Sequence, residues 1–180
     1  MRVILALCML AAALMAQEPQ FTNSGELVLP AHYREWVFLS SGLGMTYQPS
    51  TAANQDRSPS FTNVFVNPAA YRSFLETGKW PDQTVLVLEV RFSETKGSIN
   101  KDGHYQAGLD HVAVEVKDTA RFPASGWAFF ALGKASSGKL IPRTADCYSC
   151  HAEHGAVDNT FVQFYPTLLA VARQKGTLRP

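Results

Sequence analysis

The residues best suited to chemistry lie late in the chain, where Cys147-Tyr148-Ser149-Cys150-His151 forms a C-x-x-C-H run. That spacing is the signature of covalent heme attachment. Each thiol adds to one vinyl group of a porphyrin, and two intervening residues let one helical turn reach both vinyls. The histidine that follows sits under the ring centre, where its imidazole binds iron. Three other chemistries compete for the same side chains. Zinc would have to be held by Cys147, Cys150, His151 and His154, all on one helical face, whereas structural zinc sites draw ligands from separated segments. A thioredoxin-like redox pair opens a helix after a strand in a βαβ context, and this pair comes late in a chain rich in strands. A plain disulfide would close a minimal loop, although bridges gain most by closing long ones. The balance favours one heme c per chain, covalently attached through Cys147 and Cys150, with His151 as the axial iron ligand.

The compartment agrees with that chemistry. Arg2 precedes an apolar run at 3–16. The run falls short of the roughly 20 residues a membrane-spanning helix needs and suits the apolar core of a secretory signal. Cleavage after Ala16 would leave 17–180 as a single heme-binding domain, large enough for its own core. Cys8 follows Leu5-Ala6-Leu7 and loosely matches a lipoprotein box, but the large Leu7 argues against lipidation. Export to the periplasm is the expectation, and covalent heme attachment takes place outside the bacterial cytoplasm. The charge balance of 16 basic against 15 acidic side chains gives no electrostatic case for nucleic acid or an anionic membrane.

A sixth iron ligand is harder to find. The only methionine beyond the signal is Met45, in a loop far upstream of the motif. A His/Met electron carrier would need it to fold back onto the heme. His32, His104, His111 and His154 are the other candidates. The alternative is an open distal side, which suits gases or small nitrogen compounds. Asp110, Glu115 and Glu89 are candidate proton carriers, each equally readable as a strand-face charge. Trp36, Trp80 and Trp127 read as core or interface residues.

These residues need a scaffold. Residues 30–36 read as a short helix with Pro at its first turn, and 37–40 as a strand. The stretch 42–60 is rich in Gly, Pro, Ser, Asn and Asp and reads as a long loop. A strand is expected over 61–66, and a helix from Pro68, capped by Asn67 and ended by Gly78, with Tyr71, Phe74 and Leu75 on one face. The nearly continuous apolar run 84–92 predicts the central strand, with further strands over 112–116 and 127–132. Residues 93–105 and 133–146 read as loops. Helix is expected over 160–175, where Pro166 either kinks it or begins a new one. The order predicts an α+β domain, mainly an antiparallel sheet with a few helices and the heme-attachment segment near the C-terminus.

The chain also resembles the cytochrome P-460 and cytochrome c′-beta superfamily. The resemblance lies in Tyr33-Arg34-Glu35-Trp36-Val37, in Phe61-Thr62-Asn63-Val64-Phe65-Val66-Asn67-Pro68-Ala69-Ala70-Tyr71 and in Thr77-Gly78-Lys79-Trp80-Pro81-Asp82. It continues through Gly126-Trp127-Ala128-Phe129, Cys147 to His151 and Phe161-Val162-Gln163-Phe164-Tyr165-Pro166. It implies a mostly antiparallel β fold, usually a homodimer, with heme near the C-terminus on Cys147, Cys150 and His151. Members of the P-460 branch cross-link a lysine to the porphyrin and oxidise hydroxylamine. The matching position here is Leu88, before Glu89, and leucine has no amine. The similarity therefore leans to the c′-beta branch, which binds nitric oxide and carbon monoxide and caps its distal pocket with phenylalanine. Phe61 is the first candidate for that cap and Phe38 the second. The expected function is gas binding at a mono-heme c-type cytochrome. Oxidation of hydroxylamine and simple electron transfer, with a periplasmic redox partner, are the alternatives.

Overall fold

The computed structural model describes residues 18–46 and 58–179. The strands are β1 (Leu27–Val28), β2 (Val37–Leu43), β3 (Phe61–Val66), β4 (Val85–Glu94), β5 (Tyr105–Lys117), β6 (Trp127–Gly133) and β7 (Ser137–Leu140). The helices are α1 (Pro68–Thr77), α2 (Asp146–His154) and α3 (Pro166–Lys175), with 3-10 turns at Tyr33–Glu35 and Val162–Phe164. Among the described residues, the strands form one antiparallel sheet in the order β1-β7-β6-β5-β4-β3-β2. This is the α+β, mainly antiparallel architecture expected from the sequence. None of these helices is long and apolar enough to cross a membrane. The expected signal at 1–16 and most of the expected 42–60 loop lie outside the described residues.

Each face of the sheet carries its own core, because side chains alternate along a strand. On the first face Val85, Val87, Val112, Val114, Val116, Ala128, Phe130 and Leu132 are covered by Leu27, Tyr33 and Trp36, with Phe21 and Phe122 packed alongside. On the second face Val66, Leu86 and Trp127 are covered by Ala70 and Phe74 of α1 and by Leu168 and Ala172 of α3. Strand β4 is therefore apolar on both sides, which is why it reads as an unbroken apolar run. Full burial of one such side chain contributes about 1.5–3 kcal/mol.

Helix α1 starts with Pro68 and ends at Gly78, whose left-handed φ of 71° lets its N–H reach the Phe74 carbonyl. Asn67 does not cap it. Its side-chain amide instead donates to the Gln83 carbonyl (3.1 Å) and its oxygen accepts from the Val85 N–H (2.9 Å), pinning the start of β4. The buried residues of α1 are Ala70 and Phe74, while Leu75 is 38% exposed, so the apolar face is rotated from the expected one. Only a 3-10 turn forms within 30–36. Pro166 starts a separate helix.

Candidate functional site

Helix α2 presents Cys147, Cys150 and His151 at helical spacings of three and four, on one face. Asp146 in its first turn complements the positive end of the helix. Two contacts fix the roll of the helix against the sheet. The Tyr148 ring packs edge-on against Phe129 at 4.6 Å, and its hydroxyl donates to the Ile141 carbonyl at 3.3 Å.

That face of α2 closes on a cleft of about 300 Å³ lined by Leu88, Ala113, Glu115, Phe129, Ile141 and Phe161 together with Cys147, Cys150 and His151. The strand register explains the lining. Leu88 pairs with Ala113, and Glu115 pairs with both Leu86 and Phe129. Residues paired across an antiparallel ladder share a face, so this is the face that carries α1 and α3. Cys147 stands exposed at the rim and Cys150 is half-buried; both are free thiols.

His151 is the most constrained of the three. Its ring lies between Phe129 (4.5 Å) and Phe161 (4.4 Å). Nδ1 donates to the Asn159 carbonyl at 2.8 Å. With Nδ1 committed to that bond, Nε2 is the ring nitrogen left for a ligand, and it faces the Glu115 carboxylate 3.5 Å away. Burial pushes the Glu115 carboxyl above its ordinary range, and the neighbouring His151 opposes that shift.

The other predicted positions divide plainly. Leu88 lines the cleft. Phe61 and Phe38 do not: Phe61 pairs with Arg91, Phe65 pairs with both Phe38 and Val87, and the Phe38 and Phe65 rings lie 5.6 Å apart. Phe65 packs on the first core, so these phenylalanines lie on the opposite side of the sheet. The strand period of two puts them there, one step out of phase with Leu88. Glu89 is on that side too. Its buried carboxylate accepts from the Tyr33 hydroxyl, from Arg34 Nε (2.7 Å) and from Arg91 (3.1 Å). Asp110 pairs with His111 (3.2 Å) near the sheet margin.

The sixth-ligand candidates also fall elsewhere. Met45 packs against Gly42 at the end of β2. His32 pairs with Glu35, His104 bonds Ser93, and His154 lies beside Glu153. Among the described residues, no three His, Cys, Asp or Glu side chains gather as a group that could hold a metal ion. Phe129, Phe161 and Asn159 went unassigned as site residues in the sequence. The available signal was the Asp158-Asn159 pair between Val157 and Thr160, a two-residue turn sequence shortly after the motif.

The donor set fits a heme. Two thiols and an imidazole share one helical face, Nε2 is directed into an apolar cleft, and Nδ1 is tied back as ligating histidines usually are. Fold and site together define a heme cytochrome. The cytochrome P460 family model matches residues 30–162, and the chain belongs to that family. Among curated proteins, none matches its sequence.

Proposed function

We propose that this chain is an exported mono-heme c-type cytochrome with an open distal side that binds a diatomic gas such as nitric oxide. Thioethers to Cys147 and Cys150 hold the heme, and His151 ligates its iron. Bound there, the heme supplies an iron centre whose free coordination position takes the small ligand. The observation that carries this reading is the lining of the cleft: besides Cys147, Cys150 and His151 it is apolar apart from Glu115 and Asp146, with Met45 and the other histidines all outside it. Such a lining supplies no strong sixth ligand, and axial ligation and distal access are what separate gas binding from electron transfer. Leu88 at the cleft supports gas binding over the cross-linked chemistry of the P-460 branch. Export rests on Arg2 and the apolar run at 3–16.

One observation favours turnover of a small nitrogen compound as a second reading. Glu115 puts a half-buried carboxyl beside the Nε2 side of His151, where a proton acceptor would be needed.

The test is the spectrum of the reduced, heme-loaded mature protein with and without carbon monoxide. A five-coordinate ferrous spectrum that shifts with the gas is expected. A low-spin spectrum indifferent to the gas would sink the reading in favour of electron transfer. Steady consumption of hydroxylamine would transfer it to the second reading. Intact mass, showing one covalent heme and loss of the leader, checks attachment and export together.

A further inference from the structure

We infer that the turn at 157–160 is a positioning device for His151, in which Trp80, Thr160 and Lys117 hold the Asn159 carbonyl against the imidazole and so set the strength of the ligand presented to the cleft. The inference rests on the reading of His151 as the axial ligand, and it concerns residues outside the cleft.

The turn's backbone is unusual. Asp158 and Asn159 both have left-handed φ, 48° and 61°. Val157 and Thr160 pair across them, with the Thr160 N–H reaching the Val157 carbonyl at 2.9 Å. Two consecutive left-handed residues make a mirror-image tight turn, and Asp and Asn are the side-chain-bearing residues that tolerate it best. The conformation leaves the Asn159 carbonyl facing α2, where it receives the His151 Nδ1–H.

Close approach is built in at Gly155. A Cβ there would sit 2.6 Å from the Asn159 carbonyl carbon and 2.6 Å from the His151 oxygen. Only glycine lets the end of α2 and the turn meet so closely. Gln163 staples the same junction, donating to the His154 carbonyl (2.8 Å) and accepting from the Ala156 N–H (3.2 Å).

From the far side the turn is gripped by two separate elements. The indole N–H of Trp80, just beyond α1, donates to the Thr160 hydroxyl at 2.8 Å. That hydroxyl donates onward to the Val157 carbonyl at 2.7 Å, so its single proton and an acceptor site are both committed. Trp80 is 2% exposed and Thr160 fully buried. At the end of β5, Lys117 Nζ bonds both the Asp158 carboxylate and the Trp80 carbonyl. A turn that merely reversed the chain would need none of this. A carbonyl held fixed against a ligating imidazole locks its tautomer and raises its basicity, which strengthens the bond to iron and favours the oxidised state.

The test uses three variants of the full mature chain. Thr160→Val keeps the shape and removes the hydroxyl, Thr160→Ser restores it, and Trp80→Phe removes the indole donor. In the heme-loaded ferrous protein, the iron–histidine stretching band should move to lower wavenumber in Thr160→Val and Trp80→Phe. The midpoint potential should rise, and Thr160→Ser should match the wild type. An unmoved band and potential in folded Thr160→Val and Trp80→Phe would overturn the inference and leave the turn a purely structural feature. A variant-free arm uses nitrogen-15 spectra of His151 in the heme-free wild type, where Nδ1 should carry a proton throughout and no neutral Nε2–H tautomer should appear. A mixture of tautomers overturns the inference. A locked tautomer in a wild type that shows no iron–histidine band instead upholds the turn's grip and brings down the axial-ligand reading alone.

Discussion

A buried carboxylate and a half-buried one, on opposite faces of the sheet, are handled by opposite means. Glu89 is 2% exposed. Burial pushes its carboxyl up, but bonds from Tyr33 and Arg91 and the nearby Arg34 charge outweigh that and hold it below the usual carboxylate range. The same contact, with burial, raises the Tyr33 hydroxyl. A lowered folded value stabilises above the ordinary carboxylate pKa of about 4.3, and that stability is lost as pH falls through the folded value. Glu89→Gln should therefore cost about 1–3 kcal/mol at neutral pH. The low end of larger buried-pair losses is expected because Arg34 and Arg91 are 54% and 26% exposed and can turn to water. Urea midpoints measured from pH 7 downward should begin to approach each other for wild type and variant only below about pH 4.3, and should meet once the pH passes the lower folded value; parallel curves would show that Glu89 is not the acid-sensitive group. Glu115 has no such arginines around it in the cleft, and it separates the two functional readings. Glu115→Gln should still bind carbon monoxide if the protein is a gas binder. If it turns over hydroxylamine, loss of the proton acceptor should slow steady-state turnover by about 10²–10⁴-fold.

At the scale of elements, β7 shows what a strand can owe to its neighbours. Ser137-Gly138-Lys139-Leu140 has neither the alternation nor the β-branched content of a strand, yet it pairs with β6 on one side and β1 on the other. Gly138 explains both the poor signal and the pairing. A Cβ there would lie 2.4 Å from the Ala131 carbonyl oxygen, so the strand fits only without a side chain. Gly138→Ala should lower stability by about 1–3 kcal/mol through overpacking, read as a lower urea midpoint with an unchanged slope. An unaffected midpoint would mean that β7 can shift without cost. The same contrast sets what the sequence disclosed. Strand β4 was legible because both its faces are buried, and α1 because Pro68 and Gly78 bracket it. The grouping of Cys147, Cys150 and His151 was legible because their spacing puts them on one face of a helix, and the structure brings all three to one cleft. Phe61 and Phe38 were misplaced because the side of a strand depends on register, and register is fixed by the partner strand. The first half of β5 was not assigned to a strand, because no residue from Tyr105 to Asp110 is buried and its pairing with β4 comes from the hairpin.

On the scale of the whole molecule, α2, which carries Cys147, Cys150 and His151, is the least anchored of the three described α-helices. Helix α1 buries Ala70 and Phe74 and α3 buries Leu168 and Ala172, whereas α2 has no buried residue of its own. Its hold on the sheet comes from the Tyr148 and His151 rings against Phe129 and Phe161, and from the Tyr148 hydroxyl bond. Segments with few buried apolar contacts open locally at lower free energy than the core. On this packing the sheet, α1 and α3 are expected to hold together as a scaffold without the cofactor, with α2 as a flap that a heme bound through two thioethers and one iron bond would fasten. Hydrogen exchange measures this directly. In the heme-free mature protein, the amides of 146–154 should exchange much faster than those of β4 and β5. Heme loading should slow 146–154 selectively, while the protection of β4 stays nearly constant. A Cys147→Ala/Cys150→Ala variant, supplied with free heme, should recover only the part of that protection due to the His151 bond. If all elements gained protection in proportion on loading, the cofactor would be stabilising the fold globally, and the division into scaffold and flap would be wrong.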